Sequence, residues 1–333
     1  MENSNNTQTS SNISLISRKC SVCGSKYHTR IYDQPTENIA GIGDIGYHHV
    51  INACDDCGFV FASPILPVDI ILKYYTSMSN YEHFESDGAR PAADIRQIER
   101  QIDIIESRFP SGFKGRALDI GCSIAYGLSL LQESGWLVLG LDPSEKCIQI
   151  SRDKLGVRVL EGFFSVELLK KENKFDVIIL SHVVEHLVFP EEIIGHLSEL
   201  LTDDGIIYIE VPNLMRPNNT KCYFGFEHVN FFSPQSLTNL ATQNGFLVDS
   251  LELFENGKEI HPYYPVIAVT LKKSGALAKI INDKVAATEV VEDYSNKMLS
   301  LLSKLNKRID SIVSTTPHGR LAIWGAAFTQ VSY

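Results

Sequence analysis

Between Arg116 and Val211, short runs rich in Val, Ile and Leu alternate with helix-like stretches, and this alternation constrains the fold more than any other feature of the chain. Arg116–Ile120, Leu137–Leu141, Val157–Leu160, Phe175–Leu180 and Ile206–Val211 read as strands. Between the last two, Ile193, Ile194, Leu197, Leu200 and Leu201 have the spacing of one buried helix face, which Asp203-Asp204-Gly205 is expected to end. Parallel neighbours need a crossover, usually a helix. The chain is therefore predicted to build a doubly wound, mostly parallel α/β sheet with helices on both faces. Phe246–Leu253 and Val266–Leu271 lie close enough together to add an antiparallel edge.

The 333 residues, 44% of them hydrophobic, are enough for more than one packed core. Residues 1–14 are polar and rich in Ser, Asn and Thr, so a disordered tail is expected there. A cysteine-bearing module is expected over 15–85 and the α/β domain over 86–273, entered through a helix at Ile95–Phe109. Residues 274–333 are expected to form a helical linker and the start of a further, incomplete α/β segment. In that linker Val291, Tyr294, Met298, Leu301, Leu302, Leu305, Ile309 and Ile312 step by threes and fours, which predicts one long amphipathic helix.

A formal charge of −10, with no Lys/Arg run, argues against a nucleic-acid partner. No apolar stretch approaches the roughly 18–20 residues that span a bilayer. The N-terminus lacks the basic and apolar segments of a signal peptide, so the expectation is a cytoplasmic protein without a membrane partner.

Cys20-Ser-Val-Cys23-Gly and Cys54-Asp-Asp-Cys57-Gly are two C-x-x-C-G pairs, 30 residues apart. A two-residue gap lets one tight turn present two thiolates to one ion, and zinc favours four in a tetrahedron. Glycine after each pair permits the backbone angles of such a turn. A structural zinc on Cys20, Cys23, Cys54 and Cys57 is expected, because four protein ligands leave no position open. Cys122, Cys147 and Cys222 read as small buried hydrophobes.

The segment Ala117-Leu-Asp119-Ile-Gly121-Cys-Ser123-Ile-Ala125-Tyr-Gly127 runs from a strand into a helix, and Asp142 ends the next strand. A carboxylate there can accept both hydroxyls of a ribose. The G-x-G-x-x-G turn of a nicotinamide enzyme is absent. From Arg116 to about Asn213 the chain resembles the Rossmann-like methyltransferases that use S-adenosylmethionine. Their first motif is acidic-x-Gly-x-Gly-x-Gly; here Ser123 and Ala125 stand for the later glycines. The resemblance implies that Asp119 and Gly121 lie near the amino-acid part of the cofactor and that Ser123 also belongs to the cofactor site. It also implies that Asp142 binds the ribose and Phe163 contacts adenine. Ser181 and His182, in Ser181-His-Val-Val-Glu185-His186, fall in the family's motif after the fourth strand.

Within that class, the paired C-x-x-C-G module and Glu227-His228-Val-Asn-Phe-Phe232-Ser233 resemble the zinc-containing sugar C-methyltransferases. These methylate carbon beside a ketone on nucleotide-linked deoxysugars. The resemblance implies His228 as the base that removes the carbon's proton, Glu227 as its neighbour in the site, and a tyrosine among Tyr74, Tyr75 and Tyr81 near the sugar. His182 and His186 are rival bases. Two departures stand out: Gly225-Phe226 replace the family's Tyr-His, and the C-terminal Rossmann-like domain begun by Leu321-Ala-Ile-Trp324-Gly325-Ala326-Ala327 breaks off soon after. They leave two other readings, O- or N-methylation of another small molecule and an inactive zinc- and cofactor-binding scaffold.

Overall fold

The computed structural model describes residues 13–36, 46–77, 92–217, 223–255 and 265–315. Tyr81, Cys222, the expected tail up to residue 12 and the Leu321–Ala327 turn lie outside them. The chain begins with three strands, β1 (His28–Thr36), β2 (Tyr47–Cys54) and β3 (Val60–Ala62), and two helices, α1 (Val68–Ser77) and α2 (Ala92–Glu106). Strands and helices then alternate: β4 (Arg116–Ile120), α3 (Tyr126–Glu133), β5 (Leu137–Asp142), α4 (Glu145–Leu155), β6 (Val159–Glu161), α5 (Val166–Leu169), β7 (Phe175–Ser181), α6 (Pro190–Leu200) and β8 (Leu201–Pro212). After them come β9 (Asn230–Phe231), α7 (Pro234–Gln243), β10 (Phe246–Phe254), β11 (Val266–Lys273) and the long α8 (Lys284–Thr315).

The large sheet has the order β10-β11-β8-β7-β4-β5-β6. Its five strands from β8 to β6 are parallel, and β11 and β10 add the antiparallel edge the sequence led us to expect. Central strands covered on both faces read as continuous apolar runs. So it is in β7, where Val177, Ile178, Ile179 and Leu180 are all buried, and in β8, where Ile206 to Val211 are buried. Local signals fix the helices that cover it. Ser144 caps α4 by accepting from the Cys147 N–H, and Gly156 closes that helix at φ 65°. Ser233 and Ser236 form a capping box on α7.

Two expectations of detail need correcting. Asp203-Asp204-Gly205 do not form a free turn after α6; β8 begins at Leu201 and runs through them. Its pairing with β7 shifts between Phe175–Leu201 and Val177–Ile206, so these residues are absorbed in a bulge. Helix α8 matches the predicted stripe, but only its first half packs, through Ala287, Val291 and Tyr294. Leu301, Leu302, Leu305, Ile309 and Ile312 are exposed.

The small sheet, β1-β2-β3-β9, is antiparallel and is not closed within the N-terminal segment. Its last strand, Asn230–Phe231, comes from beyond β8. Arg18, itself buried, donates to the carbonyl of Val229 (2.9 Å) and to Asn230 Oδ1 (2.8 Å). Asn230 in turn donates to the carbonyls of Val184 (3.0 Å) and Leu187 (2.6 Å). The cysteine module, the segment around His228 and the turn after β7 are thus tied together by buried hydrogen bonds.

Candidate active site

Ligands of doubly wound sheets bind outside the carboxyl ends of the strands, where the strand order reverses. Here the reversal lies between β4 and β7, since the chain steps outward through β5 and β6 before crossing to β7. Gly121 follows β4 at φ 74°, and a Cβ built on it would lie 2.6 Å from Val183 Cγ2. A larger residue there requires the Val183 side chain to move. Ser123 (φ 53°), Ala125 (φ 55°) and His182 (φ 55°) also adopt the left-handed conformation. It costs a non-glycine residue about 1–2 kcal/mol. Ser123 and Ala125 therefore keep the backbone shape of the glycines they replace, and all three strained residues stand at the ligand edge of the sheet.

Asp142 ends β5 and is buried. Its Oδ2 accepts from the Ser123 N–H (2.8 Å) and its Oδ1 from the Ser144 N–H (2.9 Å). Burial raises its pKa, and these two N–H groups work against that by favouring the charged form. Each oxygen keeps a further lone pair for a hydroxyl donor. The Asp142 carbonyl accepts from Gly162 N–H (3.0 Å), which sets the chain beside Phe163, an exposed ring (37%) next to β6. Asp119 is half-buried near the end of β4.

A second group gathers past the end of β7, where Val184–His186 form one 3-10 turn. The Tyr74 hydroxyl donates to Glu227 Oε1, and its ring packs edge-on against Phe226. His186 Nδ1 lies 3.0 Å from the Glu227 carbonyl and 2.9 Å from the Tyr75 hydroxyl. The rings of His186 and His228 meet at a centroid distance of 4.9 Å. The structure thus brings Tyr74, Tyr75, Glu227 and His228 together, with His186 among them. Burial and then the neighbouring His186 push the His228 pKa down to about 3. His228 is therefore neutral at working pH, and a weaker base than an exposed histidine.

A third cluster escaped the sequence reading. Glu210 on β8 is fully buried and accepts from Arg100 (2.8 and 3.0 Å), Gln97 (3.0 Å), Gln101 (2.9 Å) and Tyr208 (2.6 Å). Burial opposes its charge, but hydrogen bonding from His182 and the Arg100 cation hold its carboxyl well below the usual range. His182 lies between Glu185 (3.3 Å) and Glu210 (3.6 Å). Burial disfavours its protonation, yet the two carboxylates raise its pKa to about 9. Gln101 also donates to Ser181 Oγ (3.0 Å). Gln97, Arg100 and Gln101 are spaced i, i+3, i+4, one helix face, and that polar face on α2 was the available signal.

The sulfurs of Cys20, Cys23, Cys54 and Cys57 lie within 4.8 Å of one another, with Cys20–Cys57 at 3.4 Å and Cys23–Cys54 at 3.5 Å. Gly24 and Gly58 take φ 74° and 81°, and their N–H groups close each loop on the carbonyls of Cys20 and Cys54. Zinc–sulfur bonds of about 2.3 Å in a tetrahedron would set sulfurs about 3.8 Å apart, so the donor set fits such an ion.

Comparison with known proteins adds a family to this geometry. Residues 93–251 match the family model described as a methyltransferase domain. The match marks this stretch, just under half of the chain, as a methyltransferase domain. Among curated relatives, the C-methyltransferase NovU of Streptomyces niveus is 23% identical over 207 residues, covering 59% of this chain and 46% of that protein. A ubiquinone biosynthesis O-methyltransferase of Pelagibacter ubique is 28% identical over 156 residues, 41% of this chain and 63% of that one. The chain thus spans about half the length of the first relative and under two thirds of the second. A solved magnesium protoporphyrin IX methyltransferase from Synechocystis PCC 6803 with bound S-adenosylmethionine aligns over 62% of this chain and 96% of its own, at 16% identity and a TM-score of 0.45.

Proposed function

We propose that this methyltransferase transfers the methyl group of S-adenosylmethionine to a carbon beside a ketone on a nucleotide-linked deoxysugar. The observation that carries the proposal is the convergence of Tyr74, Tyr75, Glu227 and His228 past the end of β7, next to the cofactor edge. In this reading Asp142 holds the ribose, and Asp119, Gly121 and Ser123 cradle the amino-acid part. Phe163 covers the adenine, and Ser181 and His182 close the wall between cofactor and acceptor. Such a carbon attacks the methyl group only after losing a proton, and His228 with Glu227 carries that activation. The tyrosines present hydroxyls to the sugar. The four cysteines hold a zinc ion with a structural role, since no coordination position remains open.

O-methylation is a second reading. It is favoured by the similarity to ubiquinone biosynthesis O-methyltransferases and by the depressed pKa of His228, because a hydroxyl needs less help than a carbon to lose its proton. No described helix is long and apolar enough to cross a membrane.

The test is His228→Ala, assayed with labelled cofactor and a panel of nucleotide-linked keto sugars. A general base contributes about 10²–10⁴-fold. The variant is expected to lose turnover on that scale while binding the cofactor as before, and to stop solvent deuterium entering the acceptor carbon. Unchanged exchange would remove His228 from the chemistry. Methyl groups found on oxygen in the wild-type product would replace the first reading with the second.

A further inference from the structure

Glu185 is buried, and its Oε2 has no hydrogen-bond partner. Burying a carboxylate oxygen is unfavourable unless something positive faces it. Its Oε1 lies 3.3 Å from His182 Nδ1 and 3.9 Å from His186 Nε2. One carboxylate oxygen of Glu185 and one ring nitrogen each of His186 and His228 lie within 4.8 Å of one another.

His186 Nδ1 lies 3.0 Å from the Glu227 carbonyl and 2.9 Å from the Tyr75 hydroxyl. In the tautomer that donates to the carbonyl, Nδ1 carries the hydrogen and Nε2 turns a lone pair toward Glu185, 3.9 Å away. A histidine that donates one ring N–H to a backbone carbonyl and offers the other nitrogen inward is arranged as metal-binding histidines are. The His182–Glu185 contact supplies the matching outer partner for the carboxylate.

We propose that Glu185, His186 and His228 form a second metal site, distinct from the four cysteines, that binds a divalent cation of the zinc class. Two imidazoles and one carboxylate are a donor set zinc accepts, and three protein ligands leave a position for an oxygen ligand. The scaffold is rigid where it needs to be: the Val229 N–H bonds the Glu185 carbonyl (2.9 Å), and Asn230 bonds the carbonyls of Val184 and Leu187. Donors on a tetrahedral ion with bonds of about 2.1 Å stand about 3.4 Å apart, so the three groups draw together on binding. The ion would sit beside the acceptor, and because His228 is one of its ligands, that residue would act as a free base only in the ion-free protein. The site itself does not depend on the identity of the acceptor.

The full chain, stripped with a chelator and dialysed against zinc, is expected to retain two zinc ions. Glu185→Gln and His186→Ala should each retain one. With cobalt as the probe, the wild type should combine the intense thiolate charge-transfer band of the cysteine site with weaker visible bands. Only the weaker bands should disappear in Glu185→Gln, His186→Ala and His228→Ala. Glu185→Gln nearly preserves shape, and retention of the thiolate band reports that the variant is folded. A wild type that binds a single ion, lost with the thiolate band in Cys54→Ser, would overturn the proposal. So would a second ion whose spectrum survives in all three variants. Neither result requires turnover, so the assignment of the acceptor stands or falls separately.

Discussion

Arg100→Ala offers the sharpest probe of how the ligand edge of the sheet is held. Arg100 lies at 2.8 and 3.0 Å from the two carboxylate oxygens of Glu210, and its side chain is 16% exposed against 0% for its partner. Its guanidinium also sits 3.9 Å from the centre of the Phe254 ring. Removing one member of a buried pair leaves an uncompensated charge, which costs about 3–5 kcal/mol. Gln97, Gln101 and Tyr208 continue to donate to Glu210, and His182 stands 3.6 Å away, so the lower end of that range applies. The lost cation–π contact adds about 1 kcal/mol. The expected destabilisation is therefore about 3–4 kcal/mol in urea unfolding followed by circular dichroism at pH 7. Glu210→Gln removes the charge itself, so the double variant should be more stable than the sum of the two singles by at least about 1 kcal/mol. The pH matters. The Glu210 pKa is depressed in the fold, so its stabilisation is present above the ordinary carboxylate value and is lost as pH falls below it. A loss under about 1 kcal/mol for Arg100→Ala, or strict additivity in the cycle, would mean that Arg100 and Glu210 are not coupled.

Gly121→Ala should destabilise the domain by about 2–4 kcal/mol, combining the left-handed backbone with a 2.6 Å contact to Val183, and differential scanning calorimetry should register the fall. An unchanged melting temperature would mean that the turn relaxes freely. Cys54→Ser should lose the ion of the cysteine site and loosen β1–β3, because structural zinc supplies folding energy. Elemental analysis finding no zinc in freshly purified, reduced wild type would end that account.

The parallel core was legible because its information is local. β4 has the boundaries read from the sequence, and β5, β7, β10 and β11 extend those readings by a residue or two. Each is a short apolar run bounded by polar or turn residues, and the antiparallel edge followed from two such runs lying close together. The bulge at Thr202–Gly205 was not legible, since residues that favour a turn were recruited into a strand by their neighbours in β7. Nor was β9, two residues long, whose pairing with β3 spans about half of the chain. In the site, the order of Asp119, Gly121 and Asp142 along the strands pointed to the edge where the cofactor is proposed to bind. The Glu210 cluster stayed hidden because it depends on how α2 is turned against β8. Glu185 and His186 were visible as a motif, but their meeting with His228 needed the non-local tie through Asn230.

We propose that S-adenosylmethionine binds over the carboxyl ends of β4 and β5, with Asp142 as the acceptor for its ribose. Calorimetric titration of the cofactor into wild type and Asp142→Ala tests it most directly. Loss of a charged hydrogen-bond partner should weaken binding by about 1.5–3 kcal/mol. Because burial raises the Asp142 pKa, wild-type affinity should also decline on acidification at a pH above that of an exposed carboxylate, and the variant should show no such decline. Equal affinities for the two proteins, with the same pH profile, would contradict this placement of the cofactor.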